Sequence, residues 1–458
     1  MNEKRNLENE LNDLINRKAA GAQIRSRANW IENGEKNSAY FLGLEKNRQY
    51  KNNIKQLFNE KNKIVHEDED ILKNMCNFYE KLYSNMEDNR YCEMNEYLQN
   101  TKFENVLSNE DKNMLDQFPT LDECTCAVFD MKENKSPGLD GIPSEFYKKF
   151  WKELKDHFYS CMRYSYEKES LTSSQRLSVI TLLYKKGDKR QLNNYRPISL
   201  TNTDYKIIAF VLAKRLQRIL DNIISKDQSA YIKGRYIGIN ARLIVDIFEY
   251  CESNNQEAIL LFLDFQKAFD SFEWPFMLKT LEFFNFGHEF VKWIQILYKN
   301  PVFRLKNNNW LSKTCVMKRG IRQGCPISAI IFLFVAEVLS IRIRQNEEIH
   351  GFKKKGMKNE VKTLQHADDC TLPLKNIRSV KSAIREIDIF SKFSGMKLNL
   401  SKTECILLGS LKGKYADIDG IAVNDTCVKV LGIHIGHDKE SCYKNNWTKK
   451  IDEIQKLF

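Results

Sequence analysis

Two stretches of this 458-residue chain put carboxylates where a fold would least readily keep them. "QEAILLFLDF" is a near-continuous apolar run that reaches Asp264, and "LQHADDCTLPL" sets Asp368 beside Asp369 in text that otherwise reads as a short apolar strand. Adjacent like charges in apolar surroundings are costly unless something neutralises them. If the two stretches lie side by side in one sheet, three carboxylates converge, and oxygen ligands with no thiolate among them select Mg2+ or Mn2+. Two such ions suit an in-line phosphoryl displacement, activating the attacking hydroxyl and stabilising the leaving oxygen. The residue types alone fit a plain turn pair equally well. Cys427, His434, His437 and Cys442 in "CVKVLGIHIGHDKESC" are all of zinc-binding types. Their spacing matches no zinc finger, and "VKVLGIHIG" alternates as a strand and tight turn.

The elements that must position these groups can be read in order. "QEAILLFLDF" describes a central strand with a carboxylate at its tip. "LSVITLLYKKG" is a strand, and "LNNYRPISLTNTDYKIIAFVLAKRLQRIL" is a loop leading into a long amphipathic helix. Pro137, Gly138, Gly141 and Pro143 punctuate a turn-rich loop before a helix opening near Ser144, with Glu145 in its first turn. Helical text surrounds "KRGIRQGCPISAIIFLFVAEVLSIRIRQ", and "SVKSAIREIDIFSKFSG" is helical. Near the start, Leu7, Leu11, Leu14 and Ile15 have amphipathic spacing. Residues Ala20 to Asn62 mix basic and aromatic side chains, as suits a phosphate backbone with bases to stack on.

The composition permits a large core, with 42% hydrophobic residues. A formal charge of +12 favours a polyanionic partner. Twelve scattered cysteines without a CxxC fit a reducing compartment, and no run approaches the length of a membrane span, so the cytoplasm and the nucleus are the expected locations.

Seven ordered motifs carry a family resemblance. "LFLDFQKAFDSFEW", "RGIRQGCPISAIIFLFVAEVLS", "HADD", "SGMKLNLSKTE" and "VKVLGIHIG" resemble the palm motifs of reverse transcriptases, and "KSPGLDGIPSEFYKKFW" with "YRPISL" resembles the fingers of the LINE-type, non-long-terminal-repeat retrotransposon enzymes. The resemblance spans roughly Lys132 to Gly436 and implies an α+β right-hand polymerase. Its expected parts are a mostly helical N-terminal extension (1–125), fingers (126–255), a palm with an antiparallel sheet flanked by helices (256–440) and the start of a truncated thumb (441–458).

The resemblance also implies roles. Asp264, Asp368 and Asp369 would be the catalytic carboxylates, joined at two Mg2+ ions by the backbone carbonyl of Phe265. Phe269 would be the aromatic gate under the sugar, which favours deoxynucleotides. Gln323 and Gly324 would line the incoming base and template, and Arg196 with Lys185 or Lys186 would hold the triphosphate. Lys402 would protonate the leaving pyrophosphate. The partners are then an RNA template, a DNA primer or target, and dNTPs, with no membrane. Oligomeric state is not legible.

Three departures stand out. His366 replaces the usual Tyr or Phe near the primer terminus, and as an imidazole it is expected to charge below a pH of about 6.5. Pro373 follows the aspartate pair in a strand and would cost a central sheet a hydrogen bond. The chain ends on text resembling the first thumb helix, which reads as a fragment or relic with poor processivity. A retroelement relic that binds RNA and DNA without turnover is the alternative function. An RNA-directed RNA polymerase is disfavoured by Phe269.

Overall fold

The computed structural model describes residues 53–85 and 90–455. The expected helix at Leu7 to Ile15 and most of the basic aromatic stretch lie outside them. The chain divides into two compact units. Of the described residues, the smaller comprises 53–78, 180–198 and 304–313, and the larger comprises 79–85, 90–179, 199–303 and 314–455.

In the smaller unit, Leu57–Phe58 pairs antiparallel with Ile64–Val65, and Lys306 stands opposite Leu311 in a second hairpin. The Asn307 side chain secures the backbone of Ile54, accepting from its N–H and donating to its carbonyl, both at 2.9 Å. Most of the strand Leu177–Tyr184 and part of the strand Tyr195–Thr201 belong here. The second of these corrects the loop expected for "YRPISL". Its burial alternates with period two, but Tyr195, Pro197, Ser199 and Thr201 fill the inward positions, so no aliphatic alternation announces it. It is an edge strand, where Pro197 is tolerated.

The larger unit is organised by a six-stranded sheet in the order Asp417–Ile418, Ile421–Val423, Glu404–Leu408, Ala258–Leu263, Asp369–Leu374 and Leu364–His366. All six residues of Ala258–Leu263 are buried. Both its neighbours run antiparallel to it, with Leu261 opposite Cys405 on one side and Leu372 on the other. Alternation explains the unbroken apolar run. Ile259, Leu261 and Leu263 join the main core with Phe332, Phe390 and Leu407, while Ala258, Leu260 and Phe262 face a second core with Ile244, Ile247 and Ile406. With a core on each face, neither side of the strand can be polar.

Three long helices complete this arrangement. Ile237–Asn254 packs in the second core through Ile244, Ile247 and Cys251, and Ser328–Gln345 is buried along nearly its whole length. Ile377–Ser394 is capped by the Asn376 side chain, which accepts from Ser379 N–H, and closes on Gly395 at φ +77°. The "VKVLGIHIG" text forms a hairpin, Val428–Val430 against Ile433–Ile435.

"LQHADDCTLPL" is two strands, not one. Leu364–His366 turns through Ala367 and Asp368 into Asp369–Leu374, with His366 opposite Asp369. Pro373 costs the central ladder nothing. It stands opposite Leu260, but its carbonyl accepts from Phe352 N–H at 2.8 Å on the other side. In an extended strand the N and O of one residue point the same way, so the missing N–H also faces away from Leu260. The pairing with Leu364–His366 has already ended at Thr371.

Candidate active site

Asp264 follows the last residue of the central strand. Leu263 is opposite Cys370, so continuing the register sets Asp264 level with Asp369, and Asp368 occupies the adjoining turn. Asp264 and Asp368 are half-buried and Asp369 is exposed. Among the described residues, no three or more His, Cys, Asp or Glu side chains are gathered into a metal-holding group. The donors nonetheless suit a hard cation. The adjacent Cys370 is buried in the main core, which leaves the carboxylates as the available ligands.

Asp264 is held from the side by "LNLSKTE". Asn399 donates from Nδ2 to Asp264 Oδ2 at 3.0 Å and from its backbone N–H to Asp264 O at 2.7 Å. Asp264 N–H in turn donates to Thr403 Oγ1 at 3.3 Å. Lys402 is exposed in the turn between these two contacts. Phe265 is buried and bridges to Leu398. Asn399 and Thr403 were not legible as site residues, because polar residues in a loop carry no periodicity.

Phe269 is half-buried, with its ring 4.4 Å from that of Phe332. Its carbonyl accepts from Ile321 N–H at 2.8 Å, which ties it to the "RQGCP" loop. In that loop Gln323 donates from Nε2 to Asp270 Oδ1 at 2.9 Å, and its carbonyl accepts from Ser199 N–H at 2.7 Å. Gly324 is exposed at φ +109°, a conformation that side chains rarely adopt. Arg322 does different work: it is buried, stacks on Tyr205 at 4.8 Å and donates to Arg176 O at 2.6 Å.

Asp270 also accepts from Tyr83 Oη at 3.2 Å. Burial pushes its carboxyl up to about 6; the charge of Lys267 and the bonds from Gln323 and Tyr83 pull the other way, and the charge of Asp368 adds to the rise.

His366 places Nδ1 3.0 Å from Ser229 Oγ. Burial lowers the imidazole below its ordinary 6.5, against the opposing pull of Asp368. This corrects the expectation that it charges in the ordinary range. Lys185, Lys186 and Arg196 are exposed and belong to the smaller unit. His437 and His434 are engaged elsewhere, with Leu407 O at 2.9 Å from His437 Nε2 and the Asn446 side chain at 3.3 Å from His434 Nδ1.

Fold and site together define an α+β protein that presents acidic residues at the tips of adjoining antiparallel strands, beside a glycine-bearing loop and the packed rings of Phe269 and Phe332. Residues 184–435 match the family model "Reverse transcriptase (RNA-dependent DNA polymerase)", and the chain belongs to that family. It is 31% identical over 439 residues to an uncharacterized 149 kDa protein of transposon TX1 from Xenopus laevis, a match covering 95% of this chain and 33% of that protein. It is 24% identical over 336 residues to a retrovirus-related Pol polyprotein from the type-1 retrotransposable element R1 of Bradysia coprophila, covering 72% of this chain and 30% of that one. The Pol polyprotein of the type-2 element R2DM of Drosophila melanogaster is 24% identical over 245 residues, with 54% and 22% covered. The chain thus spans a third or less of the length of these curated relatives. No helix among the described residues is long and apolar enough to cross a membrane.

Proposed function

We propose that the chain is the reverse transcriptase domain of a non-long-terminal-repeat retrotransposon and extends a DNA primer on an RNA template. The observation that carries this reading is the register that sets Asp264 level with Asp369, with Asp368 in the adjoining turn. In the proposed right hand, 1–125 form an extension, 126–255 the fingers, 256–440 the palm and 441–458 the start of a thumb. The element acts in the cytoplasm and the nucleus.

Asp264, Asp368 and Asp369, with the carbonyl of Phe265, would hold two Mg2+ ions, which supply activation of the primer hydroxyl and charge stabilisation at the leaving oxygen. The other roles fall to this chain's own groups. Asn399 orients the Asp264 carboxylate through its 3.0 Å bond. Phe269, braced by Phe332, forms a floor too high for a ribose 2′-OH. Gln323 and Gly324 line the base pair, Arg196 and Lys185 or Lys186 receive the triphosphate, and Lys402 gives a proton to the pyrophosphate. His366 meets the primer terminus.

The test is single-nucleotide extension of a pre-annealed DNA primer on RNA with dNTP and Mg2+. Extension by the parent and its loss in Asp264→Ala and Asp368→Ala, with hybrid binding kept within a few fold, is the expected result, because the ions these carboxylates would hold act on charge that develops on the reacting oxygens in the transition state. Full activity in either variant would remove the assignment, and binding without extension by the parent would leave a nucleic-acid-binding relic.

A further inference from the structure

The turn that presents Asp368 and Asp369 is gripped by a segment that none of the motifs above includes, "DQSAYIKGRYIGIN", residues 227–240. Gln365 N–H donates to Asp227 O at 2.9 Å, and Ser229 N–H donates to Gln365 O at 2.9 Å, which makes a parallel bridge between Gln228 and Gln365. Asn240 Nδ2 donates to Gln365 O at 2.8 Å and to Asp227 O at 2.7 Å. Asp227 is itself fixed by Arg344 at 3.0 Å and by the hydroxyls of Ser225 and Thr363. The segment is therefore rigidly based before it meets the turn.

At its centre the Gln228 side chain is 1% exposed. Its Oε1 accepts from Ala230 N–H at 3.0 Å and from Ala367 N–H at 2.9 Å, and its Nε2 donates to Gln365 Oε1 at 3.2 Å. Two backbone N–H groups can be met only by the oxygen, so the orientation of the amide is forced. Ala367 sits at φ +58°, a left-handed conformation that a residue with a Cβ adopts only when its surroundings require it. Ala367 is also the residue immediately before the two aspartates. A relaxed Ala367 would re-aim both carboxylates, since one residue's φ and ψ set the direction of everything that follows it in a tight turn.

We propose that Gln228 is a positioning residue for nucleotidyl transfer, whose side-chain oxygen locks Ala367 in its left-handed conformation and thereby fixes the aim of Asp368 and Asp369. This rests on the polymerase reading above. Gln228 touches no reacting atom. Its effect passes through one backbone N–H, so it should appear in the rate of the chemical step and not in nucleotide affinity.

Two variants separate the hydrogen bond from the packing. Gln228→Met keeps the volume and removes the oxygen; Gln228→Glu keeps an oxygen facing both N–H groups. Hydrogen exchange followed by mass spectrometry reads the clamp without any need for activity. In Gln228→Met, exchange in peptides covering 364–370 should rise about tenfold or more while peptides of the Ser328–Gln345 helix stay protected. In extension assays kcat should fall by a similar factor, with the KM for dNTP within about twofold. Gln228→Glu keeps that oxygen but sets a second acceptor against Gln365 Oε1 in place of Nε2, so both readouts should lie between those of the parent and of Gln228→Met.

Parent-like exchange and kcat in Gln228→Met would overturn the proposal. So would a rise in exchange spread evenly over the chain, which is the mark of a merely structural role. If Gln228→Met does not fold, Gln228→Leu, which also lacks the oxygen, takes its place: parent-like exchange over 364–370 with parent kcat refutes the clamp, and a rise confined to those peptides with a fall in kcat supports it. A parent that extends no primer would defeat the polymerase reading, while the exchange comparison would still decide the clamp.

Discussion

Gln323 is tethered to Asp270, its Nε2 lying 2.9 Å from Oδ1 of a fully buried carboxyl that also receives the hydroxyl of Tyr83 at 3.2 Å. The side chain expected to face the incoming base is thus oriented by the residue directly after Phe269. Gly320 shows how tightly the loop is drawn in, because a Cβ there would meet the Asp270 carbonyl at 2.5 Å.

A consequence follows for stability against pH. Burial raises the Asp270 carboxyl from 3.8 to about 6, so the folded chain binds this proton more tightly than the unfolded chain does. The contribution is fully present below pH 3.8 and is lost as pH rises towards about 6, a change on the order of 3 kcal/mol. Denaturant unfolding of the parent and of Asp270→Asn at pH 4 and pH 7.5 measures it. The parent should lose more stability than the variant between the two values, and an unchanged gap would show that Asp270 titrates in the ordinary range.

What the sequence disclosed and what it hid differ in physical kind. Asp264 at the tip of a buried strand was legible because a strand covered on both faces has no polar position until it ends. The helix Ile377–Ser394 and the "VKVLGIHIG" hairpin were legible through period and turn residues. The strand at Tyr195–Thr201 was not, because Tyr, Pro, Ser and Thr occupy its inward positions. Nor were Asn399, Asp270 and Gln228, whose partners lie 135, 53 and 139 positions away and whose polar side chains are explained only by those partners. Pro373 was misjudged because sequence does not say which side of a strand has lost its neighbour.

If Phe269 is the proposed floor under the sugar as well as a packing ring, its variant should show two effects. Its ring packs on Phe332 at 4.4 Å, and Phe269→Val should cost about 1–3 kcal/mol of stability. The same truncation lowers the floor beneath the sugar and should raise ribonucleotide use relative to deoxynucleotide use. Competing dNTP and rNTP on one primer measures the ratio. Destabilisation with an unchanged ratio would mark Phe269 as a core ring only.

Pro373→Val should be close to neutral. The carbonyl of Pro373 bonds Phe352 away from the central strand, so the N–H that valine restores points to the same outer side and repairs no bond to Leu260. Unfolding free energies should agree within about 1 kcal/mol, as for other volume-conserving changes in a core. A gain well beyond that would mean that the proline does interrupt the ladder.

His366 decides how the site behaves in mild acid. A charged imidazole beside Asp368 would compete with cations for the carboxylates, and at its ordinary 6.5 it would do so within a working pH range. Here burial is the larger influence and keeps the ring neutral to lower pH, while Ser229 Oγ at 3.0 Å from Nδ1 holds it in place. Single-nucleotide extension by the parent and by His366→Tyr, at saturating Mg2+ with a pre-annealed primer, should therefore follow the same profile from pH 8 down to 6.5 and diverge only below it. A parent that falls away from the tyrosine variant already above pH 6.5 would show that the attraction of Asp368 outweighs burial. In that case the charged histidine would set the acid limb of the reaction.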